Sequence, residues 1–333
     1  VTASIAQNQN KDTSNSAPDA AIEVKNLSKT YQGQHGQPEK LALNDVSLSI
    51  PRGSFFALLG PNGAGKSTFI NILAGLVIKS SGDAKIWGYD IEDQMRAARR
   101  SIGIVPQELN LDPFFTPREL MEVQAGLYGI PQNQRRTDEI LDAVGLADKA
   151  NSYARTLSGG MRRRLLVAKA MVHSPRILVL DEPTAGVDIE LRIQLWDYVR
   201  ELNRQGTTVL LTTHYLEEAE ELCDKVAIIN HGRVVACDET STLLSKMDAK
   251  ELNVTVAETL NNVPDVLRGH GYNVNLIGEN RLSFQYSPSK VEIGNILDLV
   301  SQAGLTVADL TTKESDLEDL FLHLTREDNA KIA

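Results

Sequence analysis

Cysteine is nearly missing: Cys223 and Cys237 are the two in 333 residues. Neither belongs to a CxxC pair or lies beside a histidine cluster. A disulfide framework and a zinc knuckle are therefore excluded, and the pair reads as reduced thiols of a cytosolic protein. Positive charge is short as well, with 34 Lys+Arg against 44 Asp+Glu and a net charge of −10. Nucleic-acid binders carry a basic face, so no nucleic-acid partner is expected. No run approaches the ~18 consecutive apolar residues of a membrane-crossing helix. The opening "VTASIAQNQNKDTSNSAPDA" has neither a basic start nor an apolar core, so it does not read as a secretory signal. It is polar and rich in Ser, Asn and Gln, the composition of a disordered tail over 1–20. A soluble chain is expected, whose membrane role, if it has one, comes through a partner.

What is present is ordinarily globular, at 42% hydrophobic and 23% charged. The length suffices for one sizeable core and a second small one. "AIEVKNLSKTY" and "NDVSLSI" alternate as half-buried strands do. "SFFALL", "SIGIVP", "RILVLD" and "TTVLLTT" are short apolar runs of the kind a parallel sheet buries on both faces. Residues 107–157 read as mostly helical, with breaks at Pro113, Pro117, Gly129-Ile130-Pro131 and Gly145, and 188–206 as an amphipathic helix ended by Gly206. "KVAIINHGRVVA" reads as two strands around a His-Gly turn.

Between "FFALL" and the helix expected from Lys66 to Ala74 lies "GPNGAGKST", Gly60 to Thr68. It matches G-x-x-x-x-G-K-[ST] in the strand–loop–helix setting that motif requires. Gly60, Gly63 and Gly65, with Pro61, Asn62 and Ala64 between them, let backbone N–H groups turn inward as a nest for phosphate oxygens. The helix start adds its own amides. Lys66 would neutralise β- and γ-phosphates, and the Ser67 hydroxyl would take Mg²⁺. A glycine-rich turn without function is the bland alternative, and it leaves the lysine unexplained.

Other polar candidates follow other apolar strands. Asp181 and Glu182 end "RILVLDE", where Asp181 would hold Mg²⁺ and Glu182 would act as general base towards water. Gln107 and His214 follow two further strands. Open α/β sheets bind ligands at the carboxyl ends of their strands, so the glycine loop, Gln107, the Asp181-Glu182 pair and His214 converge on one edge. Singly, a glutamine is a surface residue and a histidine a structural one; their shared placement raises them. "LSGGMRRRLLVAKAM" opens a helix with Ser158, Gly159 and Gly160, a second anion-binding terminus or an ordinary N-cap. Arg162, Arg163 and Arg164 read as a solvated helix face.

Together these residues resemble the ATP-binding cassette (ABC) ATPases. The resemblance covers residues 21 to about 245. It rests on the Walker A motif (60–68), the Q-loop Gln107, the signature "LSGGM", the Walker B strand (177–182), the D-loop "AGVD" ending at Asp188, and the switch His214. Met161 and Val187 depart from the commoner Gln and Leu without removing a phosphate contact. The resemblance implies an α/β P-loop NTPase fold: a mixed sheet core with an antiparallel β subdomain and a helical subdomain. It implies ATP and Mg²⁺ as ligands, with Ser67, Gln107 and Asp181 at the metal. Tyr31 would stack on adenine, its alternative being a strand residue packed in the core. Two cassettes pair head to tail, each ATP lying between one Walker A and the other chain's signature. With one of each, this chain is expected to form a homodimer that hydrolyses ATP, with Glu182, His214, Gln107 and Lys66 at the chemistry and Asp188 among the nucleotide contacts.

Three kinds of cassette protein compete: exporter subunit, importer subunit and non-transport ATPase. "TPRELMEVQAGLYGIP", "TTHYLEEAEELCDKVAIINHGRVVACD" and "ESDLEDLFLHLT" resemble the ATP-binding subunits of bacterial ABC-2 type exporters. Such a subunit works on the cytoplasmic side of the inner membrane, bound to a transmembrane permease on a separate chain. Phe114 and Phe115 are candidates for that contact, with core packing as the competing explanation. Beyond Met247 the pattern changes to βαββαβ plus one helix, a small α+β unit. The expected division is a cassette over 21–247, a regulatory or dimerisation unit over 250–326, and a tail over 327–333. Val254, Val256, Leu282, Phe284, Leu317, Leu320 and Phe321 are expected to form the second unit's separate core.

Overall fold

The computed structural model describes residues 18–33, 38–185, 187, 189–246, 250–314 and 316–332. The chain opens with two long antiparallel strands, β1 (Ala20–Tyr31) and β2 (Lys40–Pro51), then β3 (Phe55–Leu59) and α1 (Lys66–Leu73). A second antiparallel pair, β4 (Ser81–Ile86) and β5 (Tyr89–Asp90), leads through α2 (Met95–Ser101) to β6 (Ile102–Val105). Helices α3 (Pro117–Leu127), α4 (Thr137–Ala143) and α5 (Gly159–Met171) follow. The central sheet continues with β7 (Ile177–Asp181), α6 (Ile189–Arg204), β8 (Thr208–Thr212), α7 (Leu216–Leu222), β9 (Lys225–Asn230) and β10 (Arg233–Glu239). After α8 (Thr240–Lys246) come β11 (Lys250–Val256), β12 (Asn273–Ile277), β13 (Arg281–Tyr286), α9 (Ile293–Gln302), β14 (Val307–Glu314) and α10 (Leu317–Ile332).

These strands make three sheets. The first is antiparallel, in the order β2-β1-β4-β5. The central one runs β10-β9-β3-β8-β7-β6, parallel except where β10 turns back on β9. The alternation in β3 joins the layers. Phe56 and Leu58 face the core shared with the first sheet; Phe55, Ala57 and Leu59 face the core shared with the helices. That is why "FFALL" is apolar throughout: with a period of two, both faces need apolar residues. α3 starts sharply because Thr116 and Glu119 form a capping box and Pro117 occupies the first turn. The helical stretch after Gln107 is interrupted near the breaks expected at Pro117, Gly129–Pro131 and Gly145, with single 3₁₀ turns at Gln132–Gln134, Ala147–Lys149 and Ala154–Thr156.

The third sheet, β12-β13-β11-β14, packs against α9 through Leu252, Val254, Val256, Leu282, Phe284, Ile296 and Val300. The helix expected at "TLNNVPDVLRGHG" is reduced to one 3₁₀ turn, Asp265–Leu267. Pro264 precedes the turn, and Gly269 and Gly271 at positive φ break the backbone after it.

A second correction concerns α10. Leu317 and Leu320 are buried in the core beneath the central sheet, and Phe321 and Leu324 pack against the same core. They do not join the third sheet's core. The helix also continues through the expected 327–333 tail to Ile332. Its amphipathic face had two apolar surfaces available, and sequence order alone favoured the nearer one. At the other end, β1 already begins at Ala20, and the rest of the expected tail, 1–17, lies outside the described residues.

Candidate nucleotide site

Parallel pairing puts the carboxyl ends of β3, β6, β7 and β8 on one edge, and each end delivers a different side chain. β3 leads into the glycine loop, β6 to Gln107, β7 to Asp181 and Glu182, and β8 to His214. A cleft of about 630 Å³ opens there, lined by Tyr31, Lys40, Ala42, Asn62, Gly63, Gly65, Lys66, Ser67, Thr68, Gln107, Glu182 and His214.

The loop's glycines have separate reasons. Gly65 has φ 114° and sits so close to β2 that a Cβ would lie 2.6 Å from the Ala42 carbonyl oxygen. Gly63 has φ 82° and nothing within 4 Å of where a Cβ would point, so its backbone is open to a ligand. Below the loop, Ala64 accepts a hydrogen bond from Gly232 N at 2.9 Å, tying it to the β9–β10 turn. β9 runs parallel to β3, so this turn belongs to the same edge.

Lys66 is buried, and its Nζ donates to the carbonyls of Gly60 (2.6 Å) and Pro61 (3.2 Å). Burial holds the ammonium below its ordinary range, opposed by the Glu182 and Asp181 carboxylates. Burial also raises the Asp181 carboxyl, against the hydroxyl of Thr212, which donates to its Oδ1 at 2.5 Å. Glu182 adopts a left-handed backbone, φ 46°, uncommon for a residue with a Cβ. Its Oε2 accepts from Gln107 Nε2 at 2.7 Å and lies 3.5 Å from His214 Nδ1. A glycine loop with open backbone, a buried cation, a carboxylate and an imidazole thus meet at one opening. Ser67, Gln107 and Asp181 offer a hydroxyl, an amide and a carboxylate. These are hard oxygen donors of the kind that would suit Mg²⁺.

Tyr31 lines the cleft and is 37% exposed, so it is not a core residue. Ser158 caps α5, its Oγ accepting from Met161 N at 3.2 Å. Ser158, Gly159 and Gly160 do not line the cleft that holds the glycine loop. Asp188 lies outside the described residues. The arginine run is not a solvated face. Arg163 is 4% exposed and donates to the carbonyls of Pro106 (2.8 Å) and Gln107 (2.9 Å), and Arg164 donates to Val144. α5 is buried along most of its C-terminal half, and Arg163 in its second turn grips the Gln107 segment. Lys40 and Ala42 were also missed, since nothing in an alternating strand marks which residue borders a cleft.

Residues 43–185 match the family model described as ABC transporter. The linearmycin resistance ATP-binding protein LnrL of Bacillus subtilis is 34% identical over 310 residues, 91% of this chain and 98% of its own length. The Nod factor export ATP-binding protein I of a Rhizobium species is 36% identical, over 86% of this chain and 93% of its own. Among solved structures, a dimeric ATP-binding cassette in a post-hydrolysis state, bound to ADP and Pi, superposes with a TM-score of 0.59 at 29% identity. That match covers 66% of this chain and 98% of the other. Similarity along nearly the whole chain, joined to a cleft built from the same motifs, makes this protein an ATP-binding cassette subunit of the ABC transporter family.

Proposed function

We propose that the chain hydrolyses ATP as one half of a cassette homodimer and drives export through a separate transmembrane permease of the ABC-2 type. It works at the cytoplasmic face of the membrane. The observation that carries this reading is the meeting of Lys66, Gln107, Glu182 and His214 in one cleft, while the Ser158–Gly160 turn lies elsewhere on the same chain. A second chain is then needed to close the site. In this reading Tyr31 stacks on adenine, the 60–68 loop cradles the phosphates, and Lys66 leaves its two carbonyls to meet them. Ser67, Gln107 and Asp181 hold Mg²⁺, which when bound offsets phosphate charge. Glu182 takes a proton from water, and His214 and Gln107 fix its position. Ser158, Gly159, Gly160 and Asp188 serve the ATP held by the partner subunit.

Export is favoured by the relatives, whose names speak of Nod factor export and linearmycin resistance. No helix among the described residues is long and apolar enough to cross a membrane. In this reading the path for cargo belongs to another chain. Phe114 and Phe115, 69% and 38% exposed, sit beyond Gln107 and are the proposed contact with that chain. The third sheet with α9 is the proposed regulatory or dimer-stabilising unit. The test is affinity purification of the tagged chain from its own membranes. A co-purifying polytopic protein, lost in a Phe114→Asp, Phe115→Asp variant with unchanged ATPase activity, is the expected result.

A further inference from the structure

The proposed reaction uses Glu182 and His214, but neither is fixed by its own backbone element. Each stands just past a strand end. Both neighbourhoods are tied to one buried carboxylate. Glu218, on α7 one turn after His214, is 7% exposed. Its Oε2 accepts from the hydroxyls of Thr184 (3.0 Å) and Thr213 (3.1 Å). Its Oε1 accepts from Trp196 Nε1 (3.3 Å) and lies 3.5 Å from Arg192 Nε. Thr184 and Thr213 are 0% and 2% exposed, so neither hydroxyl has water as a substitute partner.

The geometry makes Glu218 a bracket. Thr184 lies in the turn that begins at Glu182, and Thr213 immediately precedes His214. One oxygen holds both, while the other is anchored to α6 through Trp196 and Arg192. The Thr213 hydroxyl in turn accepts from Tyr215 N at 3.0 Å, so the backbone on both sides of His214 is held. The Arg192 guanidinium also lies 4.6 Å from the centre of the Tyr215 ring, against which the His214 ring is tilted. A carboxylate is costly to bury, and these donors are what makes it tolerable here. We infer that Glu218 is a positioning residue, setting the 3.5 Å approach of Glu182 and His214 by holding Thr184 and Thr213 on a single oxygen. The inference rests on the ATPase reading above. The bonds of Glu218 run to Thr184, Thr213, Trp196 and Arg192 and none to the 60–68 loop, so its loss should spare ATP binding and slow turnover.

The experiment compares purified full-length wild type with Glu218→Gln, Thr184→Val and Thr184→Ser. It measures kcat and KM for ATP, binding of a fluorescent ATP analogue, and Trp196 emission in a Trp87→Phe background. Glutamine keeps the shape but replaces one acceptor oxygen with a donor. It is expected to lower kcat at least about tenfold, on the scale of the ~10²-fold that a 1 Å misplacement can cost. KM stays within about twofold, and Trp196 emission shifts. Thr184→Val keeps the shape and loses the hydroxyl; Thr184→Ser does the reverse. Positioning requires the serine variant to turn over faster than the valine variant. A purely packing role gives the opposite order and overturns the inference. So does a Glu218→Gln protein with wild-type kcat. A wild type that binds ATP without hydrolysing it overturns the ATPase reading, and the inference with it.

Discussion

Gln107 Nε2 and Glu182 Oε2 are 2.7 Å apart, a hydrogen bond that joins the end of β7 to the loop leading into α3. The carboxylate is thereby tied to the helical side of the molecule, where the signature turn and the exposed Phe114 also lie. A shift of the Gln107 segment would reach Glu182 directly. Arg163 passes the same shift on to α5, through its bonds to Pro106 and Gln107.

Glu182→Gln removes the proposed base and keeps the side chain's shape. Turnover should fall at least about 100-fold, the usual scale for losing a general base, while ATP stays bound. Lys66→Ala should instead weaken ATP binding, because it takes the cation out of the phosphate cradle. Steady-state hydrolysis and nucleotide titration separate the two, and near-normal turnover in the glutamine variant would remove Glu182 from its role.

The separation of the signature turn from the glycine-loop cleft predicts assembly on ATP. In the Glu182→Gln background, saturating ATP should convert monomer to dimer by light scattering. Adding Ser158→Arg should block this by placing bulk and charge where the proposed dimer puts the partner's phosphate. A fully active monomer in the presence of ATP would contradict the two-chain site.

Leu317 is fully buried beneath the central sheet, and its amide donates to Glu220 Oε2 at 3.0 Å. Leu317→Ala should therefore destabilise the cassette by about 2–5 kcal/mol, the usual cost of such a cavity. A chain stopped near residue 248 loses all of α10. It also loses the bonds from Asn230 and His231 to Asp328 and Asn329, which brace the turn beneath the 60–68 loop. That truncation should melt lower than the full chain. Equal denaturant midpoints for Leu317→Ala and wild type would show that α10 is not part of the cassette's core.

His173 gives a pH dependence. Its ring stacks on Tyr128 at 3.8 Å, and Nε2 donates to the Ile102 carbonyl at 3.0 Å. Burial pushes its pKa down from 6.5 to about 4. Between those values the unfolded chain holds a proton that the folded chain refuses, so stability falls as pH drops from 6.5 towards 4. Above 6.5 the contribution is fully present. His173→Gln should flatten that part of the profile. Urea midpoints at several pH values for both proteins check it, and parallel profiles would count against His173 as a cause.

The nucleotide-site elements were legible from sequence because their chemistry is local. A phosphate loop needs its glycines, lysine and hydroxyl within one turn, and apolar runs such as "FFALL" and "ILVLD" announce buried strands by composition alone. Which strands pair in parallel is not local, yet polar groups after four apolar strands already implied one edge. Tertiary structure decided what depends on the partner of a surface. α10 reads as an amphipathic helix in either placement, and only packing sent Leu317 and Leu320 under the central sheet. The arginines of α5 carry charge that sequence assigns to solvent. Arg163 is buried because Pro106 and Gln107 turn their carbonyls towards it, an arrangement set by how α5 docks on β6. Glu218 is likewise one of several acids on α7, and it is singled out by two threonines and a tryptophan that only the fold brings to it. Periodicity identifies a face of a helix, but what that face meets is set by chain segments far away in sequence.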